Sequence, residues 1–322
     1  MIGKVSPEGL NKFVYSRLGA VDESVTVGPA YGEDTAAIDL GDQVLVINSD
    51  PIIYAADRIG TLGVNIASND LAASGAEPKW MTVTYLLPDS EKNYLDEITR
   101  QIDDASKDLG IAVVGGHSEY VSGIERPFLS LTCFGLTYGY IPTGGVKPGD
   151  KLILTKGAGI EATGILATDF RNELEGQVAD EELKKGAERL NQLSVLPEGL
   201  ILKDYATGMH DPTEGGVLAG LFEMASVSGQ AFEVDRDKIV VNSDTEKICE
   251  AAGVDPLKVF GSGALIASVS EGEVQEALDM VRNDGIKASV IGEARVSEEP
   301  RIRMDGEVVD EPTRDQLYDL WD

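Results

Sequence analysis

Carboxylates stand beside glycines or amides at turn positions in several places along this chain. They are Gly32-Glu33-Asp34-Thr35-Ala36-Ala37, Asn48-Ser49-Asp50-Pro51, Asn65-Ile66-Ala67-Ser68-Asn69-Asp70-Leu71 and Gly115-Gly116-His117-Ser118-Glu119. A fifth segment, Met209-His210-Asp211-Pro212-Thr213-Glu214-Gly215-Gly216-Val217, closes the series. One aspartate after a strand is ordinarily a turn former or a helix cap. An Asn, Asn, Asp trio inside an apolar helix is different, because buried polar groups left without partners cost a few kcal/mol, roughly, each. Several carboxylates together with glycine amides are what a Mg²⁺-triphosphate asks for. Hard oxygens hold the ions, the ions bridge phosphates, and N–H groups take up the remaining charge. Gly215 and Gly216 open a helix, whose free amides suit phosphate, with Thr213 or Asp211 as its cap. Lys156, at the end of Lys151–Thr155, is a second candidate for phosphate charge, and equally a plain surface lysine.

The elements that must position these groups alternate between strand and helix patterns, which predicts mixed α/β construction. Strands are expected over Gln43–Asn48, Trp80–Leu87, Ile111–Val114 and Pro127–Tyr138. Leu95, Ile98, Ile102, Ala105 and Leu109 make Glu91–Leu109 an amphipathic helix. The turn-rich stretch Ile141–Asp150 is the expected boundary between a first domain, 1–142, and a second, 150–322. In the second, Lys151–Thr155, Ala264–Val269 and Lys287–Ile291 read as strands. Glu161–Asp169, Glu182–Leu193, Leu200–Thr207, Gly215–Ser228, Thr245–Ala252 and Glu273–Asn283 read as helices.

Familiar alternatives fail. There is no G-x-x-x-x-G-K-[ST] run, and Gly157-Ala158-Gly159 is only a fragment of a dinucleotide fingerprint. Two histidines and two cysteines supply neither a multi-histidine metal centre nor a disulfide framework. With 27 basic and 56 acidic residues among 322, the net charge is −29, so nucleic acid and anionic membranes are poor partners. No apolar run reaches the ~20 residues that span a bilayer, and the first residues lack an apolar signal core. A cytoplasmic location is therefore expected. Acid spread over the whole chain is also the pattern of adaptation to a salt-rich cytoplasm.

The order of motifs resembles the aminoimidazole ribonucleotide (AIR) synthase superfamily, which includes thiamine-monophosphate kinase, selenophosphate synthetase and the hydrogenase maturation factor HypE. G-E-D-x-A, a strand-end Asp, V-N-x-x-x-N-D-L-A-x-x-G-A-x-P, G-G-H-S-E and D-P-T-E-G-G run in that order, and the stretches 64–78 and 211–216 are the specific parts. Within the superfamily the chain is most similar to archaeal AIR-synthase-related proteins close to the HypE branch. The resemblance implies a two-domain PurM-like fold. Its N-terminal α/β domain pairs strands across a homodimer, and a larger C-terminal α+β domain follows. ATP and Mg²⁺ would lie in the cleft between them. By the same resemblance Asp34, Asp50 and Asp70 match the metal carboxylates, Gly115 and Gly116 the nucleotide loop, and Asp211 the acid of the D-x-T-x-G-G segment. Gly32, Glu33, Asn65, Asn69, Thr213, Gly215 and Gly216 are expected around the nucleotide. Asp211, Lys156 and His117 are expected at the reacting phosphate.

Departures narrow the activity. The chain ends Asp319-Leu320-Trp321-Asp322 where HypE proteins share a terminal Pro-Arg-Ile-Cys, so chemistry on a tail cysteine is not expected. His117 replaces the acid of the thiamine-monophosphate kinases, with Glu119 as an alternative ligand. No cysteine precedes Cys133, as selenophosphate synthetase requires, and Gly115-Gly116-His117-Ser118 departs from the G-G-E-T of AIR synthase. The expectation is a Mg²⁺-dependent ATP-using enzyme that phosphorylates an oxygen of a small-molecule or protein-borne acceptor. Its competitors are an ATP-binding maturation or regulatory subunit without turnover, and a thiamine-monophosphate kinase.

Overall fold

The structure, a computed structural model, describes residues 3–53, 57–89, 93–312 and 314–321. After a helical turn, α1 (Pro7–Gly9), come β1 (Val25–Val27), β2 (Ala36–Asp39), β3 (Val44–Ile52), α2 (Ile59–Ala73), β4 (Glu77–Pro88), α3 (Tyr94–Asp108), β5 (Ala112–Val121) and β6 (Phe128–Thr137). These strands form one six-stranded sheet in the order β1-β2-β3-β6-β4-β5, antiparallel except for the β4–β5 pair. The alternation that makes the inward residues of β3 and β6 apolar puts Val46, Leu129, Leu131 and Cys133 under α2 and α3. Helix α2 is almost wholly buried, with Asn65, Ser68, Asn69 and Asp70 set among its apolar and small residues. Its small residues allow close packing: a Cβ on Gly63 would sit 2.6 Å from a Leu131 methyl.

A second sheet of seven strands begins with β7 (Lys151–Thr155). Then follow α4 (Ile160–Thr168), α5 (Arg171–Leu174), α6 (Asp180–Glu188), α7 (Leu196–Leu202), β8 (Ala206–His210), α8 (Gly216–Ser228), β9 (Ala231–Val234) and α9 (Ser243–Ala252). The chain continues through β10 (Ile266–Val269), α10 (Val274–Asn283), β11 (Ala288–Arg295), β12 (Arg301–Met304), β13 (Glu307–Val309) and α11 (Tyr318–Trp321). The order is β13-β12-β9-β11-β7-β10-β8. Helix α2 joins the two sheets: it packs on β3 and β6, and also on α7, where Ala72 O lies 2.7 Å from the position of a Gly199 Cβ. Among the described residues no helix is long and apolar enough to cross a membrane.

Three sequence expectations are corrected. Leu200–Thr207 is not one helix: α7 stops at Leu202 and Ala206–His210 is a strand, because pairing with β10 (His210 opposite Ile266) outweighs the local helical pattern. Strand β5 does not end at Val114 but runs through Gly115-Gly116-His117-Ser118-Glu119, so that segment is not a loop. Asp50 stands within β3, which extends to Ile52, rather than past its end. The start of the Glu91–Leu109 helix falls partly outside the described residues, and the helix begins at Tyr94.

Candidate functional site

Four aspartates from four segments come together, and three of them, Asp34, Asp50 and Asp70, line one cavity. In β3, Asn48 and Asp50 are two residues apart and therefore share a face. Helix α2 crosses that face and brings Asp70 to it, and the Asn48 amide donates to Asp50 Oδ2 at 2.7 Å and to Asp70 Oδ2 at 2.8 Å. Asp34 comes from the turn before β2, and Asp211 from the turn between β8 and α8. Oxygens of Asp34 and Asp211 and a ring nitrogen of His210 all lie within 4.8 Å of one another. The cavity beside them measures about 280 Å³ and is walled by Asp34, Asp50, Asp70, Thr213 and Glu214 together with Ile66, Ile165 and Phe260.

The electrostatics of this cluster are unbalanced. Burial, then the charges of Asp50, Asp211 and Asp34, push Asp70 well above the ordinary carboxylate range. Burial also raises Asp50. Asp211 is pushed up to about 8 by burial, against the opposing pull of His210 and with the added repulsion of Asp34. Neither Asp211 oxygen has a hydrogen-bond donor among the described residues. Hard oxygens, buried and without donors, are the donor set that a small divalent cation satisfies.

His210 holds the rim. Its Nδ1 is 3.0 Å from Asp34 Oδ2 and its Nε2 is 2.7 Å from Glu223 Oε2. Burial disfavours the imidazolium, but the two carboxylates reverse this and raise it well above its ordinary value. Burial acts upward on Asp34 too, and His210 with Lys4 brings it below the usual range. His210 Nε2 meets Glu223, while Nδ1 faces Asp34 without a hydrogen bond of good geometry, so among the described residues His210 stands with Asp34 and Asp211 as a group that could hold a metal ion. Lys4 extends the arrangement, with its ammonium 3.4 Å from Glu223 and its backbone N–H donating to Glu214 at 3.2 Å.

Several expected site residues are used for structure instead. Asn69 stitches α2 to the second domain: its amide donates to Leu193 O at 2.8 Å and its carbonyl accepts from Val195 N–H at 2.8 Å. Asn65 donates to Thr61 O in its own helix. Glu33 accepts from the Tyr140 hydroxyl at 3.3 Å, and Gly32 occupies a left-handed turn position against Val227. The Gly215 amide is held by Asp315 Oδ2 at 2.7 Å and the Gly216 amide by Thr213 O at 3.0 Å, so neither is free for phosphate. Gly115, Gly116 and His117 are exposed on β5, away from the cavity wall; His117 Nε2 faces Glu119 at 3.2 Å. Gly116 is glycine for a packing reason, since a Cβ there would lie 1.8 Å from Val83 O across the β4–β5 pair.

Lys156 is likewise engaged elsewhere. Its ammonium is 2.9 Å from the buried Glu198 carboxylate and donates to Gln192 O and Ser194 O. Lys156→Met should leave nucleotide affinity unchanged and cost on the order of 3 kcal/mol in urea unfolding, because Glu198 is left buried without its cation. Loss of nucleotide affinity in a folded Lys156→Met protein would return Lys156 to the site.

With the geometry described, its relatives can be placed. The AIR synthase related protein N-terminal domain matches residues 32–137, and the C-terminal domain of the same family matches 147–305. A Methanocaldococcus jannaschii protein named for hydrogenase expression and formation is 28% identical over 306 residues, 91% of this chain and 88% of the relative. The carbamoyl dehydratase HypE of Rhizobium leguminosarum is 24% identical over 311 residues, covering 89% and 85%. The crystal structure of the hydrogenase maturation protein HypE in complex with ATP superposes with a TM-score of 0.70 at 23% identity, over 89% of this chain and 92% of that one. The two matched domains span most of the chain, the two sheets follow the PurM-like arrangement of HypE, and the chain belongs to the AIR synthase related family.

Proposed function

We propose that this protein is an ATP-using enzyme that transfers the γ-phosphoryl group to an oxygen of an acceptor bound in the cavity. The observation that carries this reading is Asp211: a buried carboxyl beside the carboxyls of Asp34, Asp50 and Asp70, with no nitrogen donor to either oxygen among the described residues. Asp34, Asp50 and Asp70 would hold Mg²⁺, with Asp211 beside them. The ion, when bound, neutralises phosphate charge and fixes phosphate orientation. The residues do the rest by placement: Asn48 fixes Asp50 and Asp70 relative to each other, and His210 Nδ1 stands 3.0 Å from Asp34 as its nearest cationic group. As the acceptor oxygen bonds to phosphorus, the bond to ADP breaks, and the acceptor proton passes to Asp211. ATP binding in HypE, a protein of the same fold, supports the nucleotide part of this reading.

The test is direct. Purified protein with ATP, Mg²⁺ and candidate acceptors should release ADP, and Asp70→Asn should weaken Mg-ATP binding at least tenfold. Nucleotide-dependent stabilisation without ADP above background would instead favour a binding subunit without turnover. Unchanged Mg-ATP affinity in Asp70→Asn would make the carboxylate cluster structural.

The reading includes a second copy of the chain. Strand β5 is a sheet edge ten residues long with both faces exposed, including Val113, Val114 and Tyr120. A long apolar edge with unpaired backbone groups is a template for another strand. Pairing there would put Gly115, Gly116, His117 and Glu119 at the subunit boundary. Wild-type protein should elute as a dimer in light-scattering chromatography and Val114→Asp as a monomer; a monomeric wild type would remove this part of the reading.

A further inference from the structure

The cavity has a second polar feature that phosphate chemistry does not use. Glu161, in the first turn of α4, lines it with a residue exposure of only 6%, beside the fully buried Ser262. Among the described residues no cation pairs with Glu161, and its polar neighbour is Ser262. Burial lifts Glu161 to about 7, with Ser262 opposing. The same cavity is also lined by the apolar side chains of Ile66, Ile165 and Phe260 and by the Tyr318 ring. A buried carboxylate without a counterion is costly, and a ligand that brings the missing charge repays that cost. Apolar walls add affinity in proportion to the area they cover.

We propose that Glu161 and Ser262 form the acceptor-recognition end of the cavity and select an acceptor carrying a cationic nitrogen, an amine or amidine, on a compact apolar body. This rests on the phosphoryl-transfer reading for the word acceptor, while the site itself stands on the cavity and on a buried carboxyl in its wall that has Ser262 beside it and no counter-cation. Discrimination comes from the polar end. A neutral isostere leaves Glu161 without its counter-charge, and an anionic one adds repulsion.

Benzamidine, benzamide and benzoate are isosteric probes of this end. Calorimetry at pH 8, with Mg²⁺ and a non-hydrolysable ATP analogue present to occupy the aspartate cluster, should show benzamidine binding at least tenfold more tightly than benzamide, with benzoate undetected. Glu161→Gln should lower benzamidine affinity at least tenfold and leave affinity for the ATP analogue unchanged. Ser262→Ala, a smaller change to the fold, should lower benzamidine affinity severalfold. Equal binding of benzamidine and benzamide, or benzamidine affinity unmoved by both substitutions, would overturn the proposal. If the ATP analogue fails to bind wild-type protein, the phosphoryl-transfer reading falls. A Glu161-dependent preference for benzamidine measured without nucleotide would still establish the cationic subsite.

Discussion

Replacing Asp211 with Asn should abolish ATP turnover, by at least ~10³-fold, and at the same time make the metal-free protein more stable. The two effects have one cause. Asp211 is buried against Asp34, Asp50 and Asp70 without a donor to either oxygen. Its carboxyl is held up at about 8 against an ordinary 3.8. A raised carboxyl binds its proton more tightly folded than unfolded, so folding stability falls as pH rises from about 4 towards 8. Asn carries no charge and removes that loss, and its amide can donate to a neighbouring carboxylate. In EDTA at pH 8 the variant should melt ~5–10 °C higher than wild type, corresponding to a few kcal/mol; at pH 4 the two should nearly coincide. Mg²⁺ should stabilise wild type and have little effect on the variant. A variant that loses activity and stability together, at every pH, would show Asp211 to be a structural residue.

The aspartates were legible in the sequence because each breaks a local pattern. Asp70 sits in an apolar helix, Asp50 follows a run of strand residues, and Asp211 precedes Pro212 and two glycines. Partnership was not legible. Nothing local shows that the Gly215 amide is taken by Asp315, a hundred residues away, or that Asn69 spends both ends of its amide on residues 193 and 195. Free helix amides and a polar residue in an apolar helix look the same before their partners are known. His210 was missed for a related reason. With Leu200–Thr207 read as helix, the residues before Asp211 had no sheet to hold them, whereas β8 pairing buries His210 between Asp34 and Glu223. Adjacency to Asp211 was the one signal available. The exposed run of β5 was misread as a loop because glycines are common in turns; here Gly116 is required by the approach of Val83 O.

His210→Ala should be the most destabilising substitution in the site. The imidazole is nearly inaccessible, and its two nitrogens face carboxylates 3.0 and 2.7 Å away. Removing it leaves Lys4 as the remaining cation beside Asp34 and Glu223, a loss of about 3 kcal/mol for a weakened, partly buried cluster and roughly a 5–10 °C fall in melting temperature. The pH profile distinguishes this from the loss of packing alone. In the wild type His210 is raised, so its contribution is complete below its ordinary value of 6.5 and is lost only as pH rises through its raised one. Asp34 and Glu223 are lowered, so their contributions are complete above their ordinary values and are lost as pH falls through the lowered ones. The three together give a plateau across neutral pH. Without the imidazolium only Lys4 opposes the burial of both acids, and the variant should lose stability relative to wild type as pH climbs from about 4. Combining Glu223→Gln with His210→Ala should recover part of the loss at pH 8, because one of the two carboxylates that His210 faced is then uncharged. A His210→Ala profile parallel to wild type, merely displaced downwards, would mean that His210 acts by filling space. It would also remove the reason for Asp34 to be ionised and correctly aimed before a cation arrives.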